Sequence, residues 1–221
     1  MNIRFVLITE GQSDDGLIRH LENLCLEAGA DEVLGIAPDL SRLPNPPGRT
    51  LEAKILAVLQ YEPNANLFLL HRDADSRNSV LRHEEIRRVI ISCGLEQQWV
   101  AVVPVQETEA WLLLDENAIR TVANKPNGRT PLNLPRPAQV EDMANPKERL
   151  KTALATASEL TGRRYQRFVA TFSTHRRLLL HRLQVGGPLL LVPAWLAMKN
   201  AIEQAIQHLR YDEEPSAEEE D

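Results

Sequence analysis

Acidic side chains follow three apolar segments of the sequence, at the points where buried strands would end. They are Glu10 after Ile3–Thr9, Asp73 and Asp75 after Asn66–His71, and Glu107 and Glu109 after Trp99–Val105. Carboxylates buried together repel one another, and a divalent cation removes that cost. Mg²⁺ and Mn²⁺ prefer carboxylate oxygens as ligands. The pattern therefore favours a divalent-metal site, although helix capping or solvation explains Asp14, Asp15 and Glu109 equally well.

Small and basic residues adjoin these acids. Gly11 follows Glu10 directly, and we expect it to let the backbone turn sharply and leave room for a substrate phosphate. Arg72 and Arg77 flank the two aspartates and are candidates for contact with a scissile phosphate. His71 is interpreted as a packing residue at the end of a strand.

The first part of the chain alternates between short apolar segments and amphipathic segments. Four apolar segments predict strands, and helices are predicted after each of them, the last from about residue 107 to 123. This alternation predicts an α/β fold with a parallel sheet of about four strands and helices on both faces. Ligands of such sheets bind beyond the carboxyl ends of the strands, where the acids are expected.

The second part of the chain is helical and basic. A proline-rich loop or hinge is predicted at 124–146, followed by helices at about 147–160, 164–183 and 194–210. The net charge of the whole chain is −6, but residues 120–187 hold thirteen basic and four acidic side chains. This excess favours an anionic partner such as nucleic acid, and solvated helix faces are the alternative. We predict three parts: 1–123 as the metal-binding domain, 124–211 as a basic helical extension, and 212–221 as a disordered acidic tail.

The segment FVLITEG at 5–11, together with LFLLHRDAD at 67–75, resembles the TOPRIM domain, in which a Glu after the first strand and a later DxD bind Mg²⁺. TOPRIM domains occur in topoisomerases, bacterial primases and nucleases of the overcoming-lysogenization-defect class. The segment VQETEAWL at 105–112 is similar to one in short stand-alone TOPRIM-like proteins, which are often encoded beside an ATPase and are suspected of antiphage defence.

The resemblance implies a fold, a cofactor and a function. It implies a TOPRIM-like, Rossmannoid sheet in which Glu10, Asp73 and Asp75 bind Mg²⁺ or Mn²⁺, with Glu107 and Glu109 as candidates for a second ion. Two ions would activate a water molecule and stabilise the leaving oxygen in phosphodiester cleavage. The expected function is a metal-dependent nuclease, the effector of an antiphage system that works with an ATPase.

Two other functions stay open. One is a non-catalytic subunit that docks on an ATPase, and the other is a phosphotransfer enzyme that acts on a small substrate. The sequence lacks the strand-passage tyrosine region of topoisomerases and the zinc ligands of primases, so neither of those activities is expected.

Several classes of protein are disfavoured by simple features. The two cysteines have no CxxC spacing, so neither a zinc site nor a disulfide scaffold is expected. The N-terminal residues do not resemble a signal peptide, and no apolar stretch approaches membrane-spanning length, which predicts a cytoplasmic protein without a membrane partner. No P-loop motif is present. A homo-oligomer remains open.

Overall fold

A four-stranded parallel sheet lies at the centre of the protein, in a computed structural model that describes residues 1–213. The strand order is β2-β1-β3-β4, and every neighbouring pair is parallel. The strands are β1 (Asn2–Ile8), β2 (Glu32–Ile36), β3 (Leu67–His71) and β4 (Gln98–Val102). The predicted α/β class with four parallel strands is confirmed, and the arrangement is consistent with a Rossmannoid fold.

Ten α-helices are described within residues 1–213, and they cover both faces of the sheet. They are α1 (Ile18–Glu27), α2 (Leu51–Tyr61), α3 (Val80–Cys93), α4 (Glu109–Leu112), α5 (Glu116–Val122), α6 (Pro137–Val140), α7 (Pro146–Ser158), α8 (Gly162–Ala170), α9 (Phe172–Leu180) and α10 (Pro193–Glu213). Short 3-10 helices at 12–17, 40–42 and 187–191 complete the described elements.

The alternation of side chains along β1 assigns one set of helices to each face of the sheet. Ile3, Phe5 and Leu7 pack with α1 and the later helices, whereas Val6 and Ile8 pack with α2 and α3. Both faces are apolar because a parallel sheet buries both of them.

The helices of the C-terminal part share one hydrophobic core with the sheet. Val100 and Val102 of β4 belong to the same cluster as Leu150 of α7 and Ile202 of α10. The rings of Trp111 in α4 and Trp195 in α10 meet edge-to-face with their centroids 4.9 Å apart. The fold therefore ties the C-terminal helices to the sheet through buried apolar contacts.

Three local predictions differ from the structure. The helix predicted at 107–123 is interrupted at residues 113–115, where Asp115 accepts a hydrogen bond from the Ala118 N–H and caps α5. The helix predicted at 164–183 is divided at Thr171, whose hydroxyl donates to the Phe168 carbonyl. The predicted loop at 124–146 contains α6.

The acidic tail was predicted to begin at residue 212. Asp212 and Glu213 instead belong to α10, and residues 214–221 lie outside the described residues. Within 1–213, no helix combines the length and the apolar character that crossing a membrane requires.

The order of the strands defines where a ligand is expected. The chain moves outward from β1 to β2 on one side and from β3 to β4 on the other, so the topological switch point lies between β1 and β3. In open parallel sheets, ligands bind at this point, beyond the carboxyl ends of the strands. Glu10 follows β1 and Asp73 follows β3, so both lie beside this crevice.

Candidate active site at the carboxyl edge of the sheet

The loops that leave β3 and β4 are joined by backbone hydrogen bonds. The Ala74 N–H donates to the Pro104 carbonyl (3.1 Å), and the Asp75 N–H donates to the Gln106 carbonyl (2.9 Å). The Gln106 N–H donates in turn to the Ser76 carbonyl (3.1 Å). Asp75 and Gln106 both have left-handed backbone, with φ of 53° and 64°. Such conformations are costly for residues other than glycine and cluster at functional sites, so these two loops are held in a defined shape.

An alternating chain of charges links the loop after β1 to the loop after β3. Arg72 Nε lies 2.7 Å from Glu10 Oε1, and Arg72 Nη2 lies 3.5 Å from Glu85 Oε1. Arg82 Nη1 lies 2.6 Å from the other oxygen of Glu85, and Arg82 Nη2 lies 3.0 Å from Asp75 Oδ2. Two predicted metal ligands, Glu10 and Asp75, are therefore the ends of one ionic network. We call this set of five residues the charge chain.

Asp73 is the most perturbed carboxyl group of this edge. Its Oδ1 accepts hydrogen bonds from the backbone N–H (3.0 Å) and the hydroxyl (3.2 Å) of Thr108. Burial, together with the negative charges of Asp14 and Glu109, raises the pKa of Asp73 to about 7, although the Thr108 hydrogen bonds oppose the rise. A carboxyl group with this pKa exchanges its proton near neutral pH, as a general acid or base requires.

A buried arginine joins the loop after β1 to the helix after β4. Arg176 of α9 places Nη2 2.6 Å from Asp14 Oδ1 and Nε 2.8 Å from Glu109 Oε1. Its Nη1 also donates to the Ser13 carbonyl (2.7 Å). Burial alone would lower the pKa of Arg176, but the two carboxylates raise it, so the guanidinium remains charged. The carboxylate of Glu109 is therefore used in a structural ion pair.

His71 ends β3 beneath these acids and is fully enclosed. Its Nε2 lies 3.0 Å from Thr108 Oγ1 and 3.9 Å from Asp73 Oδ1. Burial lowers the pKa of His71, so the neutral imidazole is favoured at neutral pH. The interpretation of His71 as a strand-end packing residue agrees with its 1% exposure.

The other predicted site residues have different surroundings. Glu107 Oε2 accepts a hydrogen bond from the Lys147 N–H (3.0 Å) and thereby caps the first turn of α7. Gly11 has extended dihedral angles (φ −155°, ψ 171°), and the chain bends at Glu10 and Gly11 before the 3-10 helix at 12–17. The space above its Cα is open, as expected for a residue that leaves room for a substrate. Arg77 is exposed and lines a groove beside β4.

The acids match a divalent cation in chemical type but not in arrangement. Glu10, Asp73, Asp75 and Glu107 supply carboxylate oxygens, which Mg²⁺ and Mn²⁺ prefer. Each carboxylate faces its own donor or cation, and within residues 1–213 no group of three or more potential ligands is placed to hold a metal ion. Metal binding at this edge therefore requires Glu10 and Asp75 to leave their arginines.

The basic segment 120–187 divides into buried and exposed cations. Arg176 is buried, as described above, and Arg120 is buried in an ion pair with Glu116 (2.6 Å), so neither is available to an external partner. The basic surface predicted for residues 120–187 therefore includes neither Arg120 nor Arg176. Helix α8 buries none of its residues and exposes Arg163, Arg164 and Arg167, for which the described residues supply no ion pair.

Sequence reasoning missed Glu85, Arg82, Thr108 and Arg176. The Arg82 and Glu85 pair had a visible signal, because residues three apart on a helix are neighbours. Thr108 stands between two predicted ligands but carries no charge that would have marked it. Arg176 lies 162 residues from Asp14 in the sequence, and no local pattern predicts such a contact.

Comparison of the chain with models of protein families, with curated proteins and with solved structures found no match.

Proposed function

We propose that this protein is a Mg²⁺- or Mn²⁺-dependent nuclease with a TOPRIM-like catalytic domain. The observation that carries the proposal is the gathering of acids and arginines around the switch point of the sheet. Glu10 follows β1, Asp73 and Asp75 follow β3, and Arg72 and Arg82 lie between these acids. The guanidinium groups suit an anionic substrate such as a phosphodiester, and the carboxylates suit the metal cation that its cleavage would use.

Arg72 and Arg82 are the candidate phosphate ligands. A guanidinium group binds a phosphate through two parallel hydrogen bonds, as it binds a carboxylate. A phosphodiester that enters the crevice would compete with Glu10 for Arg72 and with Asp75 for Arg82. We infer that substrate binding frees these two carboxylates.

Asp73 is the candidate proton acceptor, and Thr108 holds its carboxylate in place. A pKa of about 7 gives it a useful fraction of the ionised form at neutral pH while keeping it basic. A bound Mg²⁺ or Mn²⁺ would supply an acidic water molecule and charge stabilisation at the phosphate. Glu10 and Asp75 are the residues that would hold it, with Asp73 and Glu107 beside them.

A nucleic acid substrate accounts for the exposed arginines of α8. Arg163, Arg164 and Arg167 have no ion pair within residues 1–213, and Tyr165 between them is 42% exposed. Arginines with an aromatic ring on an exposed helix suit a phosphate backbone and stacked bases. We further propose that the substrate is DNA or RNA and that the protein works with an ATPase in antiphage defence.

A second candidate function is a non-catalytic subunit that docks on an ATPase. It is favoured by the observation that Glu10, Asp75 and Glu107 already have partners in the described structure. Under this reading, the charge chain only stabilises the two loops. The two functions predict different effects of a metal ion, and of substitutions at the acids, on nucleic acid cleavage.

Cleavage of single- and double-stranded DNA and RNA, with Mg²⁺, Mn²⁺ or a chelator, separates the two candidates. The nuclease proposal expects metal-dependent cleavage that Asp73→Asn and Asp75→Asn abolish. Asp212→Asn is the matched control, because Asp212 is exposed beside Gln98 at the amino end of β4. If no substrate is cleaved with either metal, or if the two variants cleave like the control, the nuclease proposal is wrong.

A further inference from the structure

A groove of about 750 Å³ runs along the outer edge of β4 and reaches Arg77 in the loop after β3. Its floor is β4 itself, from Gln98 through Ala101, and it continues along the chain to Val105. One wall is α3 with the residues that precede it, and the other wall is α10. We call this feature the β4 groove.

The backbone of β4 is unpaired along this groove. The sheet ends at β4, and the Val102 and Pro104 carbonyls accept hydrogen bonds from the β3 side, from the Arg72 and Ala74 N–H groups. In a parallel strand the hydrogen-bonding groups of successive residues point to opposite sides, so those of 99, 101 and 103 point into the groove. Within residues 1–213, no backbone group of another element bonds to them. Unpaired edges of this kind accept an additional strand.

The two walls of the β4 groove differ in chemistry. On the α3 side, Arg77 and Arg87 are exposed and have no ion pair within the described residues. On the α10 side, small side chains face the groove, among them Ala197 and Ala201. The carboxylate of Glu141 also lines the groove, but its Oε1 accepts a hydrogen bond from the Ala194 N–H (2.8 Å).

We propose that the β4 groove binds an extended, acidic peptide segment of a partner protein as a fifth strand of the sheet. The main chain of the segment would bond to the open edge of β4, and its side chains would alternate between the two walls. Acidic side chains would meet Arg77 and Arg87, and small apolar side chains would meet the alanines of α10. The expected recognition pattern is therefore an alternation of acidic and apolar residues.

The walls favour a single strand over a second copy of this chain as the occupant. Two copies that joined their sheets edge to edge would have to bring α3 and α10 of each copy beside those of the other. The α3 wall carries Arg77 and Arg87, and two like-charged walls would repel across a two-fold axis. A single acidic segment brings no second pair of helices into the groove, and its charge is opposite to that of Arg77 and Arg87. The test of this proposal does not depend on the nuclease function, because the residues that it varies, Arg87 and Ala101, belong neither to the charge chain nor to the predicted site residues.

The test uses a labelled hexapeptide of alternating valine and glutamate, blocked at both ends, with fluorescence anisotropy on the full chain. We expect binding of the glutamate peptide and at least about tenfold weaker binding of a peptide with lysine in place of glutamate. Arg87→Glu leaves the α3 wall with one positive and one negative charge and should abolish this preference. Arg88→Glu is the matched control, because the neighbouring Arg88 is exposed on the same helix but does not line the groove.

A second variant tests the main-chain bonds. Ala101→Pro removes an N–H that points into the groove, and proline is tolerated in an edge strand at such a position. We expect it to weaken binding of the glutamate peptide by about tenfold, with a melting temperature close to that of wild type.

Three results would overturn the proposal. The first is equal binding of the glutamate and lysine peptides, or no binding of either. The second is a wild-type dimer that Ala101→Pro converts to a monomer, because the occupant is then a second copy. The third is tighter peptide binding by a chain that ends at Glu213, because the acidic residues 214–221 of the chain itself are then the occupant.

Discussion

Replacement of Asp73 by asparagine should change how the stability of the protein depends on pH. Burial and the charges of Asp14 and Glu109 raise the pKa of Asp73 from 3.8 to about 7 in the folded protein. A carboxyl group whose pKa is raised on folding binds its proton more tightly in the folded state. Its favourable contribution is therefore complete below about pH 4 and is lost as the pH rises through about 7.

The magnitude follows from the size of the shift. An increase from 3.8 to about 7 corresponds to about 4 kcal/mol of unfolding free energy, because each pKa unit is worth about 1.4 kcal/mol. The side chain of Asp73 is 25% exposed, so solvent screens only part of this effect. Asparagine keeps an oxygen that can accept the two Thr108 hydrogen bonds of 3.0 and 3.2 Å. The variant therefore loses the charge but not the contact.

Urea unfolding at a series of pH values, without divalent cations, measures this difference. Asp73→Asn and wild type should have similar unfolding free energies near pH 4, and the variant should be the more stable by up to about 4 kcal/mol near pH 8. Asp75→Asn is the control, because Asp75 is exposed and its pair with Arg82 is worth at most about 1 kcal/mol. If wild type and Asp73→Asn give parallel curves from pH 4 to 8, the assigned environment of Asp73 is incorrect.

Other substitutions test the packing around the site. Arg176→Met should lower the unfolding free energy by about 3–5 kcal/mol, because it leaves two buried carboxylates without a partner. The same change at the exposed neighbour Arg177 should lower it by less than about 1 kcal/mol. Chemical unfolding of both variants measures the difference. Gly35→Ala should lower the unfolding free energy by about 1–3 kcal/mol, because the new Cβ would lie 2.2 Å from the Phe5 ring. Gly11→Ala is the control, since the space around Gly11 is open, and equally small losses for the two variants would contradict the packing of β2 on β1.

The sequence predicted the sheet because its signals are local. The apolar segments and the intervening amphipathic segments mark four strands and their crossovers. The strands predicted at Ile3–Thr9, Asn66–His71 and Trp99–Val105 begin and end within three residues of those bounds. The position of the acids at the carboxyl ends follows from that alternation, since a parallel sheet places all these ends at one edge.

The partners of the acids could not be predicted in the same way. Arg82 and Arg176 are two of many arginines in the sequence, and only the packing of α3 and α9 decides which of them meets Asp75 or Asp14. The same packing buries Arg176, which composition alone had counted as part of a basic surface. The hinge predicted at 124–146 carries α6, whose valine, Val140, is fully buried. Local polarity and proline content did not reveal that contact.

Titration of Mn²⁺, with the free ion followed by electron paramagnetic resonance, tests the central claim most directly. The nuclease proposal predicts that wild type binds Mn²⁺, that Glu10→Gln and Asp75→Asn each bind it at least about tenfold more weakly, and that Asp212→Asn binds it like wild type. Phosphate analogues that compete for Arg72 and Arg82 should tighten binding in wild type, because they free Glu10 and Asp75. No bound Mn²⁺ in wild type, or equal binding by all four proteins, would contradict the assignment of this edge as a metal-dependent active site.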